Sequence, residues 1–202
     1  MSEGATRIIT GALVQLGEDA VTSIDLDPPP SRLTKILPHL ADAIDAVLVK
    51  YGWLCALEYD TLTPSDLIPA NWRFPFHYVL PEGALRFWEV SRTTGWERGV
   101  WRNPATTASQ PVLRATEGGA INVSYVRRRD ADALDANVRD AVVFELAARA
   151  CRSMNGSVER ALELRKLADQ AVLTAQGTDG QDARADDAMF VDRMANLRAS
   201  AL

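Results

Sequence analysis

PVLRATEGGAINVSYVR, residues 111–127, decides how the middle of this chain is read. It holds two short alternating runs rich in β-branched residues, with Gly118-Gly119 between them. That pattern predicts strands over Pro111–Thr116 and Ala120–Arg127 joined by a tight turn. The same character extends back to Trp53: helical spacing is absent, and Trp, Thr, Val and Pro accumulate. Further strands are expected at Leu54–Leu62, Phe76–Val79, Leu85–Val90 and Glu97–Arg102. Thr63–Pro75, with three prolines, reads as a long connection.

Helical periodicity flanks this stretch on both sides. Ile9, Ala12, Leu13 and Leu16 make one face of a helix over Ala5–Leu16, stopped by Gly17. An acidic loop ends in Pro28-Pro29-Pro30. Ser31 then caps a second helix whose stripe is Leu33, Ile36, Leu37, Leu40, Ile44, Val47, Leu48 and Tyr51, kinked at Pro38 and ended by Gly52. A third helix is expected over Asp132–Met154. Its broad apolar surface (Leu134, Val138, Ala141, Val142, Leu146, Ala150) predicts packing on two sides. Asn155-Gly156 ends it, and Ser157 caps a fourth helix running from Val158 to about Ala175, antiparallel to the third.

The expected fold is therefore α+β: a four-helix bundle (1–52 and 130–176) with a β-sheet insertion (53–129) between helix two and helix three. An extended C-terminal arm (177–202) should follow. Gly177–Asp182 reads as a flexible acidic linker. Beyond it, Phe190, Met194 and Leu197 recur at helical spacing, as in a segment that orders against a partner.

The 202 residues are 47% hydrophobic and 24% charged, which excludes wholesale disorder and fibrous repeats. No apolar window reaches the length of a membrane span, and MSEGATRIITGALVQLGED has neither the basic region nor the cleavage site of a secretory signal. With only Cys55 and Cys151, a reducing compartment and two buried thiols are expected. The net charge of −5 argues against a nucleic-acid binder, since phosphate contacts need a basic face. The one basic run, Arg127-Arg128-Arg129, reads as a solvated strand end.

No catalytic constellation is found. His39 and His77 lie in no nucleophile motif, and a Cys55–His77 pair is outweighed by a core role for Cys55. Four scattered Cys and His residues do not make a zinc site, phosphate-binding glycine motifs are absent, and the acidic clusters lack calcium-loop order. No cofactor, metal or catalytic residue is expected. All five tryptophans fall in the β insertion, and all but Trp53 lie well inside it. Trp88 and Trp96 neighbour Glu89 and Glu97 rather than bases, so Trp88, Trp96 and Trp101 are read as core or protein-interface anchors.

The order of segments carries a resemblance. Gly11-Ala12-Leu13-Val14-Gln15-Leu16-Gly17 is followed by Ser23-Ile24-Asp25 and then by Gly52-Trp53. Tyr78-Val79-Leu80-Pro81, Leu85-Arg86, Ile121-Asn122-Val123-Ser124-Tyr125-Val126-Arg127-Arg128 and Leu146-Ala147-Ala148-Arg149 come after. Over about residues 5–180 this resembles the tail tubular protein A family, the head-to-tail adaptors of short-tailed bacteriophages.

The resemblance implies a structural virion protein at the head-tail neck, made in the host cytoplasm. About twelve copies would form a ring between the portal protein and the tail nozzle or tube, with genomic DNA passing through only as cargo and no membrane involved. It implies a helical bundle with a β insertion and brings no catalytic residues. Phe190, Met194 and Leu197 would then face the portal or a neighbouring subunit, and Trp88, Trp96 and Trp101 a neighbour or the tail. Twelve copies at −5 each would give walls that do not hold passing phosphates. The rival readings are a head-completion adaptor of a long-tailed phage or gene-transfer particle and, further off, an enzyme or nucleic-acid module.

Overall fold

The structure is a computed structural model that describes residues 2–66, 68, 72–91, 95–102, 109–154 and 156–199, with side chains up to residue 181. The chain divides into two compact units, Met1–Cys55 with Arg129–Leu202, and Ala56–Arg128.

In the first unit, α1 (Glu3–Gln15) is capped by Ser2, whose hydroxyl accepts from the Ala5 N–H at 3.3 Å. At its other end Glu18 N–H reaches the Leu13 carbonyl (2.9 Å) and Gly17 N–H the Val14 carbonyl (3.0 Å). This closing turn needs a left-handed residue, and Gly17 supplies it at φ +79°. The second expected helix is broken into α2 (Ser31–Ile36), a 3-10 turn at Leu37–His39 and α3 (Leu40–Leu48). Pro38 has no N–H to give an α-helical turn, so the chain tightens there. Ser31 is the first residue of α2 rather than its cap, and no side chain caps that end.

A 3-10 turn (Ala131–Ala133) precedes α4 (Ala136–Ala150), the element on which α1, α3 and α5 all pack. Its buried face is Val138, Ala141, Val142, Leu146, Ala147 and Ala150. Ser157 accepts from the Arg160 N–H at 3.1 Å and opens α5 (Val158–Ala199), which lies along α4 through Leu164, Ala168, Val172 and Ala175.

In the second unit, six strands among the described residues form two antiparallel sheets: β1 (Leu57–Leu62), β6 (Ile121–Arg127) and β3 (Ala84–Val90) in one, and β2 (Phe76–Val79), β5 (Ser109–Ala115) and β4 (Trp96–Arg102) in the other. Alternate side chains of both sheets, among them Tyr78, Phe87, Leu113, Ile121, Val123 and Tyr125, make one apolar core.

These findings overturn the expectation of a four-helix bundle with one sheet inserted and a separate arm. The fold is α+β and strand-rich, with two three-stranded sheets rather than one. The Gly118-Gly119 connection is not a hairpin, because β5 and β6 belong to different sheets. It carries the chain across the core, pinned by the Tyr78 hydroxyl donating toward the carbonyls of Glu117 (3.1 Å) and Gly119 (2.9 Å). A Cβ at Gly118 would meet the Phe76 ring at 2.5 Å, so this crossing requires glycine. Finally, Gly177–Asp182 is not a linker: it lies inside α5. Asp179 is 9% exposed there and accepts the Leu54 N–H at 3.2 and 3.4 Å. That tertiary tie outweighs the weak helix propensity of two glycines.

Candidate interaction surfaces

Each tryptophan picked out by sequence sits differently. Along β4 exposure alternates residue by residue, which places Trp96, Arg98 and Val100 on one side of the strand and Glu97, Gly99 and Trp101 on the other. Trp96, 38% exposed, closes the rim of the sheet core with its ring edge-on to Phe87 at 6.4 Å. Trp101 is half-buried on the opposite side, which also carries the Glu97–Arg114 ion pair (3.0 Å).

Trp88 belongs to β3, whose register against β6 slips twice. Phe87 stands opposite Tyr125 and Glu89 opposite Ser124, which leaves Trp88 as the extra residue of a bulge. Bulging turns it outward at 45% exposure, with the Arg86 guanidinium 5.0 Å from its ring centre. The three tryptophans therefore do not converge on one face: Trp88 and Trp96 are exposed and Trp101 is half-buried. Trp53 is fully buried in the helical unit, its indole N–H donating to the Val47 carbonyl at 3.0 Å. Phe190, Met194 and Leu197 fall on the backbone of α5, and their side chains lie outside the described residues.

Several polar devices carry no obvious sequence mark. Arg98 reaches across from β4 to donate to the carbonyls of Leu85 and of Ala84 (3.1 Å for the latter) at the start of β3. One side chain thus latches the open edges of the two sheets. Tyr125, 1% exposed, places its hydroxyl 3.1 Å from both the Glu58 and the Asp60 carboxylates. Burial and these two acids push its phenol well above the ordinary range. His77 is buried on β2, and burial together with the nearby Arg114 lowers its pKa.

In the helical unit, Glu145 is fully buried on α4. Its Oε1 accepts from Arg149 (2.7 Å) and from Arg165 of α5 (2.9 Å), while Oε2 has no hydrogen-bond partner. The sequence marks this residue by position alone: Glu145 stands seven residues after Val138, squarely on the apolar stripe.

Beside this node, α1 and α4 enclose a surface groove of about 450 Å³. Gly11 forms its floor against Val143, where an added Cβ would lie 3.1 Å from both methyls. Arg7 and Arg139 flank one end, with Asp140 beside them; Gln15 and Phe144 close the other.

Burial, chiefly, pushes Cys55 up with Asp135 beside it, and Cys151 is buried. Among the described residues no cluster of three or more His, Cys, Asp or Glu can hold a metal ion, and no helix is long and apolar enough to cross a membrane. The surface features among the described residues include an exposed aromatic–cation pair, a groove lined by charged side chains and a long helix. Compared with known proteins, the chain matches no family model and no curated protein.

Proposed function

We propose that this chain is a structural virion protein, a head-to-tail adaptor that assembles as a ring of about twelve copies between the portal and the tail nozzle or tube. The observation that carries this reading is the ordered series of segments from Gly11–Gly17 through Ser23–Asp25, Gly52-Trp53 and Ile121–Arg128 to Leu146–Arg149. Two features add support. The strand unit is inserted between α3 and α4 of the helical unit, so one chain offers two contact modules. The net charge of −5 suits a conduit through which phosphates must slide rather than stick. Within this reading the work is done by shape and adhesion between identical copies, with closure of the ring preventing endless assembly.

The test is to mix the purified full-length chain with portal protein and image the product by negative stain. Rings seated on the portal support the proposal. Chains that stay monomeric beside intact portal, or that turn over a small metabolite, overturn it.

A further inference from the structure

We draw no further inference here: the strongest candidate, the surface patch of exposed aromatic side chains Tyr59 and Trp88 on the β1–β6–β3 sheet, carries nothing, because both Arg86 and Glu89 stand beside it and nothing in the structure shows what covers it.

Discussion

Glu145 shows how a single buried charge ties elements together. Its carboxylate holds Arg149 of its own helix and Arg165 of α5, so truncation leaves two guanidiniums facing a hole between α4 and α5. Glu145→Ala should cost about 3 kcal/mol in urea unfolding, and Glu145→Gln, which keeps an acceptor and the volume, clearly less. Two further residues set opposite pH limits on the strand unit. The Tyr125 phenol is raised by burial and by Asp60 and Glu58. Its neutral form is favoured in the folded state, so the stability it contributes is complete below about pH 10 and is lost as pH rises beyond that. Absorbance at the phenolate band should show Tyr125 ionising together with unfolding, and Tyr125→Phe should remove that part of the alkaline loss. His77 is lowered by burial and by Arg114. Its contribution is present above about pH 6.5 and fades as pH falls through the lowered value. The melting temperature should drop between pH 7 and 5 in the wild type and drop less in His77→Gln. Neither residue could be singled out from sequence, because the charges beside them come from other strands: Glu58 and Asp60 lie more than sixty positions from Tyr125.

At the scale of elements, α5 departs furthest from its sequence reading. Gly177 and Gly180 lie inside the helix, and a Cβ at either meets nothing within 4 Å. Gly177→Ala and Gly180→Ala should therefore each stabilise the helical unit by about 0.5–1 kcal/mol and raise far-ultraviolet helicity. A flexible linker would show no gain in either. Asp179→Ala should do the reverse, since it releases the Leu54 N–H that fastens this turn. What sequence did make legible were the local devices: Ser157 as a cap, Gly17 as a stop, and strands within a few residues of their observed ends. Strand partners were not legible. Gly118-Gly119 looks like a hairpin turn, yet β5 pairs with β2 and β4 while β6 pairs with β1 and β3. A glycine pair marks where the backbone turns and says nothing of which sheet it turns into.

For the whole molecule, charge is the property with the longest reach. At −5 overall, the isolated chain should give no mobility shift with duplex DNA at about 10 μM protein and physiological salt, because non-specific binding depends on releasing counterions to Lys and Arg. A salt-sensitive shift would count against a passive conduit wall. Composition and periodicity by themselves determined the α+β character of the molecule: helices at both ends, strands between, and a break at Pro38. These depend on neighbours within one or two turns, which a linear sequence displays. Only the tertiary structure decided that the strands divide into two sheets, that Arg98 latches their edges, that α5 runs unbroken through two glycines, and that Trp88, Trp96 and Trp101 part company. Each of those outcomes turns on contacts between residues distant in the chain, where burial and hydrogen bonding outweigh local preference.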